Sequence, residues 1–207
     1  MSSDKGVIAR FAIQGSAHVG SAVFGLATTL VMVRALGVDG FGAAALGLSV
    51  LSYALVASNF GGELHATQVT AGDHSTLGQN LTTVMIMRAG LSVPILLVIL
   101  GLCATRVWEA DARLAVALFS LSVVVNIGYP LWAAQALERA IAACTLGSQG
   151  LNLAFVLVAA YFDAGIAAYA AAKVGSDLIV AIGLSVWIRI RLGAAWQPAP
   201  VAYVRQF

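Results

Sequence analysis

Two long apolar runs stand on either side of a short glycine-rich junction near the start of the chain. The first covers about residues 11–36 and the second about residues 41–60, joined by Arg34-Ala-Leu-Gly-Val-Asp-Gly-Phe-Gly42. The hydrocarbon core of a bilayer is about 30 Å thick, and roughly 20 residues of helix cross it. Each run is long enough to cross, and glycines around an aspartate are typical of a turn. The sequence therefore predicts a transmembrane helical hairpin, against which later apolar runs can pack.

Composition excludes most other classes of protein. Hydrophobic residues make up 60% of the chain and charged residues only 10%, with a mean hydropathy of +0.93. Soluble domains carry about 25% charged residues, so soluble and disordered chains are both excluded. The net charge of +2 is too small to indicate a nucleic-acid partner. We therefore predict an all-α polytopic membrane helix bundle.

Six membrane spans fit the pattern of apolar runs. The four that follow the hairpin are 81–104, 113–129, 141–161 and 165–188. All six spans together form one predicted lobe over residues 1–190, and residues 191–207 form a predicted cytoplasmic tail. A predicted polar link at 61–79, a predicted interfacial turn at 131–140 and a predicted tight turn at Asp163 separate some of the spans.

The distribution of Lys and Arg predicts the orientation. With the N-terminus inside, seven basic residues lie on the inner side: Lys5, Arg10, Arg88, Arg139, Arg189, Arg191 and Arg205. Three lie on the outer side: Arg34, Arg106 and Arg113. Because cytoplasmic loops are enriched in Lys and Arg, this excess predicts that both termini are cytoplasmic.

A polar face runs along the first predicted span. At about 100° per residue, its members fall on one side of the helix: Gln14, His18, Ser21, Gly25, Thr28 and Met32. Small residues at this spacing are typical of close helix packing, whereas the two large polar side chains would suit the wall of a water-filled cavity. The sequence leaves both interpretations open.

Charged residues inside the spans are more informative. Lys173 is about nine residues, or about 14 Å, into the last span, and Asp177 follows one helical turn later. A charge at this depth usually faces the interior of a bundle, so the pair either locks the packing or contacts an anionic substrate. Arg88 either extends to the inner interface or lines the same cavity. Asn126 and Gln149 either link helices or line that cavity.

The hairpin also resembles a known family. Arg34, Leu36-Gly37 and Phe41-Gly42 mark the junction between the first two spans, and the second span ends in Asn59-Phe60-Gly61-Gly62. This pattern is similar to that of the polysaccharide (O-antigen and exopolysaccharide) flippases of the multidrug/oligosaccharidyl-lipid/polysaccharide exporter superfamily. Members usually have about twice as many membrane helices, so the resemblance covers the N-terminal lobe only.

The resemblance implies a lobe that faces a second lobe across a central cavity and alternates its access between the two sides of the bacterial inner membrane. The implied substrate is a polyprenyl-diphosphate-linked oligosaccharide, and the second lobe would be another copy or a partner chain. No residue motif transfers from the family. Position and chemistry alone then predict the substrate-contacting residues: Lys173, Asp177, Arg88, Gln14, His18, Asn126 and Gln149.

The motifs that support enzymatic chemistry are missing from the sequence. It contains no His-Glu-x-x-His zinc site, no phosphate-binding Walker loop and no Gly-x-Ser-x-Gly elbow. We therefore expect no enzymatic activity, no cofactor and no metal. Two alternatives remain open: a truncated or partner-dependent lobe without independent transport, and a drug/cation antiporter of the same superfamily. The antiporter would favour acidic residues in the cavity, where only Asp177 qualifies.

Overall fold

The computed structural model describes residues 2–59, 77–105, 107–129 and 138–192, and these ranges contain helices and short turns but no strand. Five helices make up the described fold: α1 (Ser2–Asn59), α2 (Leu77–Ala104), α3 (Ala110–Ile127), α4 (Glu138–Tyr161) and α5 (Ile166–Leu192). The all-α prediction is confirmed.

The five helices are suited to a bilayer. All of them are long and apolar enough to cross a membrane. Large apolar side chains also point outward from every helix, and Leu97 on α2, for example, is 65% exposed. A surface of this kind is unfavourable in water and favourable against lipid. The protein is therefore a multi-pass α-helical membrane protein. Its orientation stays a prediction.

The first helix contains both spans of the predicted hairpin. Gly37 interrupts it with φ 68° and ψ −175°, a left-handed conformation that glycine adopts without steric cost. Gly25 and Leu48 line the same cavity, although a straight helix would hold them about 34 Å apart. The chain thus doubles back at Gly37. The reversal occupies so few residues that both spans of the hairpin belong to α1, and the five helices therefore contain the six predicted spans.

Helix ends differ from the predicted spans by a few residues. The helices α2, α3 and α4 each begin about three or four residues early, and α5 continues past the predicted end of the lobe to Leu192. The predicted tight turn is confirmed: Asp163 has a positive φ of 47°, and its amide donates to the carbonyl of Ala160. Most of the predicted link at 61–79 and of the interfacial turn at 131–140, and the tail from 193 onward, lie outside the described residues.

Close helix contacts hold the hairpin between α3 and α4. A Cβ atom at Gly47 would lie 2.7 Å from Cδ2 of Phe119 and 3.0 Å from the carbonyl of Ala115. A Cβ atom at Gly20 would lie 2.6 Å from Cδ2 of Leu146 on α4. Small residues permit this approach of helix backbones, which supplies van der Waals packing in lipid. The helix α5 packs on α3 and α4, and α2 packs mainly on α3.

Candidate functional site

The described part of the bundle contains a cavity toward each end of the helices. The Gly37-side cavity has a volume of about 340 Å³ and reaches Met32 and Phe41, which flank the reversal of α1. The Asn59-side cavity has a volume of about 170 Å³ and reaches Leu55 near the end of α1 and Tyr129 just after α3. The two cavities therefore lie in sequence across the predicted membrane.

Lys173 on α5 lines both cavities, and Asp177 lines the Asn59-side cavity. The Nζ atom of Lys173 lies 2.5 Å from Oδ1 and 2.7 Å from Oδ2 of Asp177. The side chains are only 26% and 21% exposed. The ion pair predicted from the one-turn spacing is therefore present, and it lies where the two cavities meet.

Polar groups with unused hydrogen-bonding capacity line the Gly37-side cavity. Tyr169, one turn before Lys173, is 1% exposed, and its hydroxyl has no hydrogen-bond partner in the described part of the chain. The buried Oδ1 atom of Asn152 on α4 likewise has none there. Gln149 lies one turn before Asn152 and lines the same cavity, which is one of the two positions that the sequence left open for it. The sequence analysis missed Tyr169, although its spacing from Lys173 and Asp177 places all three on one face of α5.

Asn126 lines the Asn59-side cavity and also joins two helix ends. Its Nδ2 atom donates to Oδ1 of Asn59 at 3.1 Å and to Oγ of Ser58 at 3.5 Å. Ser122, one turn earlier on α3, is buried against the same cavity, and its Oγ atom has no partner within the described ranges. Asn126 thus has both of the roles that the sequence left open: it links helices and it faces a cavity.

Arg88 takes a position that the sequence analysis did not anticipate. Its side chain is 2% exposed, and Nη1 donates to the carbonyl oxygens of Asn126 at 3.0 Å and Tyr129 at 2.6 Å. The last carbonyls of a helix lack partners within the helix and carry partial negative charge, so a guanidinium group stabilises them. Arg88 therefore caps the C-terminal end of α3, and neither cavity includes it among the described lining residues. A contact with substrate stays a prediction.

The polar face of the first span divides into two parts. Gly25, Thr28 and Met32 line the Gly37-side cavity. Gln14 and His18, nearer the N-terminus, have exposed side chains away from both cavities. Among the described residues, the part of this face nearest Gly37 thus forms a cavity wall, and coverage of Gln14 and His18 by a second lobe stays a prediction.

The described residues of the site contribute amide and hydroxyl groups and one charged pair. No three His, Cys, Asp or Glu side chains in the described ranges lie close enough together to hold a metal ion. Comparison of the chain with known protein families, with curated proteins and with solved structures found no match in any of the three. The fold and the site together define a multi-pass membrane helix bundle with an internal charged pair.

Proposed function

We propose that the chain is one lobe of a transporter that moves polyprenyl-diphosphate-linked oligosaccharides across the bacterial inner membrane for the synthesis of surface polysaccharide or lipopolysaccharide. The observation that supports this most is the ammonium group of Lys173, which lines both cavities inside apolar helices. A charge inside a membrane bundle is costly and usually marks a substrate or ion pathway.

The ion pair gives Lys173 a partner when no substrate is bound. Asp177 neutralises the ammonium group and so reduces the cost of holding a charge within the bilayer. A diphosphate carries more negative charge than one carboxylate and can compete for the same ammonium group. The flexible side chain of lysine can turn from one acceptor to the other. In the substrate-free protein, Asp177 therefore occupies the place beside the Lys173 ammonium group that the diphosphate headgroup of the substrate would take.

The same contact weighs against a cation antiporter. Such a transporter needs a carboxylate that a cation can reach, and the Asp177 carboxylate is already held by Lys173. The exposed polar side chains of Gln14 and His18 favour a lobe that works with a second one, either another copy or a partner chain.

Ligand-dependent stabilisation tests the proposed substrate. In nanodiscs, polyprenyl diphosphate should raise the unfolding temperature, whereas polyprenol, with the same tail and no charge, should not. A ligand at about 100 times its Kd stabilises the folded state by about 2.7 kcal/mol. The double variant Lys173→Met with Asp177→Leu should lose this response, and Arg189→Gln, an exposed charge at the end of α5, should retain it.

Three results would contradict the proposal. Equal stabilisation by polyprenol would show that the tail alone binds. An undiminished response in the double variant would remove Lys173 from the site. Stabilisation by tetraphenylphosphonium instead of diphosphate would favour the cation antiporter.

A further inference from the structure

The Gly37-side cavity has the size and lining of a small-molecule site. Its volume of about 340 Å³ is at the lower end of the range of about 300–1,000 Å³ typical of ligand pockets, so it has room for one ring and not for an oligosaccharide. Most of the lining is apolar and includes the aromatic rings of Phe41 and Phe119. Phe119 packs so close to Gly47 that a Cβ atom at that position would lie 2.7 Å from Cδ2 of its ring.

The polar groups of this cavity need a hydrogen-bonding occupant. The hydroxyl of Tyr169 and Oδ1 of Asn152 are buried without partners in the described ranges, and Gln149 lines the same space. An acyl chain would leave these groups unsatisfied in a membrane interior, where each such group is costly. The occupant therefore carries both donors and acceptors.

The charge of this cavity favours a neutral occupant. Lys173 is the charged residue among its described lining residues, and Asp177 neutralises it. An ammonium group has three N–H donors, and two hydrogen bonds reach Asp177, so one donor remains for a hydroxyl oxygen. The cavity thus offers hydrogen bonds without a net charge.

We infer that the Gly37-side cavity binds one neutral polyhydroxylated ring, the chemistry of a single sugar residue. The hydroxyls on the rim of such a ring can form hydrogen bonds with Tyr169, Asn152 and Gln149. Its C–H face can pack on the negatively charged face of an aromatic ring. This inference rests on the proposed function, since the sugar would belong to the same lipid-linked molecule. It adds that the sugar and the diphosphate occupy different cavities.

Photolabelling tests this assignment without requiring transport. The whole chain in nanodiscs is irradiated with a mixture of diazirine-bearing methyl glycosides of glucose, galactose and N-acetylglucosamine, and labelled peptides are identified by mass spectrometry. Label should appear on residues 149–156 and 169–173, and unlabelled methyl glycosides should remove it. Tyr169→Phe and Asn152→Leu should each weaken labelling about fivefold, the effect of losing one hydrogen bond. Tyr53→Phe, an exposed hydroxyl outside the cavity, should not change it.

Each other outcome overturns the inference. Competition by inorganic diphosphate but not by glycosides would make the cavity an anion site, and competition by decanol alone would make it a lipid-chain site. No label on these peptides would show that it binds no sugar. A chain that responds to polyprenyl diphosphate but is not labelled refutes this inference alone, whereas a labelled chain without that response refutes only the proposed substrate.

Discussion

Replacing Lys173 by methionine should destabilise the bundle by about 2 kcal/mol, whereas replacing Lys173 and Asp177 together should cost much less. The single change leaves the Asp177 carboxylate charged and without its partner inside apolar helices. Breaking a fully buried pair costs about 3–5 kcal/mol, and the partial exposure of these side chains reduces that cost. Replacing both members by apolar residues removes the charges as well as their attraction, and such exchanges are often nearly neutral.

Unfolding by SDS titration measures this double-mutant cycle. Lys173→Met, Asp177→Leu and the double variant are compared, with Asp39→Asn as a control that removes an exposed carboxylate at the reversal of α1. We expect the double variant to be more stable than Lys173→Met and the control to match the original chain. Purely additive losses would show that the two residues do not stabilise each other.

Replacing Arg88 by methionine should destabilise the bundle by about 3 kcal/mol, beginning at the end of α3. The change removes two hydrogen bonds from a charged donor to the carbonyls of Asn126 and Tyr129, and bonds of this kind contribute about 1.5–3 kcal/mol each. Arg88→Lys should recover only part of the loss, because one ammonium group does not reproduce the planar geometry of a guanidinium.

Hydrogen exchange separates this local effect from general unfolding. In Arg88→Met, the amides of residues 122–129 should exchange faster than in the original chain under conditions where α4 and α5 remain protected. Arg189→Met, which removes an exposed arginine, is the matched control. If Arg88→Met resembles this control in both stability and exchange, Arg88 does not cap α3.

The membrane fold follows from features that the sequence displays directly. Apolar runs of sufficient length predict the spans, and glycine at position 37 predicts the reversal that α1 contains. The beginning of α2 is less visible to the same reasoning. This helix starts at Leu77, within the stretch at 61–79 that the sequence analysis assigned to a polar link, and Asn80 just after that stretch is fully buried. Hydropathy cannot distinguish a polar residue in a loop from one packed inside a bundle.

The candidate site likewise contains some contacts that the sequence predicts and others that it does not. Lys173 and Asp177 lie one helical turn apart, so their pairing is a local property and could be predicted. Arg88 instead binds main-chain carbonyls 38 and 41 residues further along the chain, and no side-chain pattern encodes such a partner. Tyr169 was missed because an aromatic residue in an apolar run resembles core packing. Its position on the same face of α5 as Lys173 was the one sequence signal that indicated a place in the cavity.

Translocation in proteoliposomes tests the central claim most directly. A fluorescent polyprenyl-diphosphate-linked sugar is incorporated, and dithionite quenches the outer leaflet, so the loss of protected fluorescence over time reports flipping. We predict flipping by the original chain at high protein density, slowed about tenfold in Lys173→Met with Asp177→Leu, which corresponds to about 1.4 kcal/mol of transition-state stabilisation. Arg189→Gln should flip normally. Equal rates in the original chain and the double variant, or no flipping at any protein density, would contradict the account.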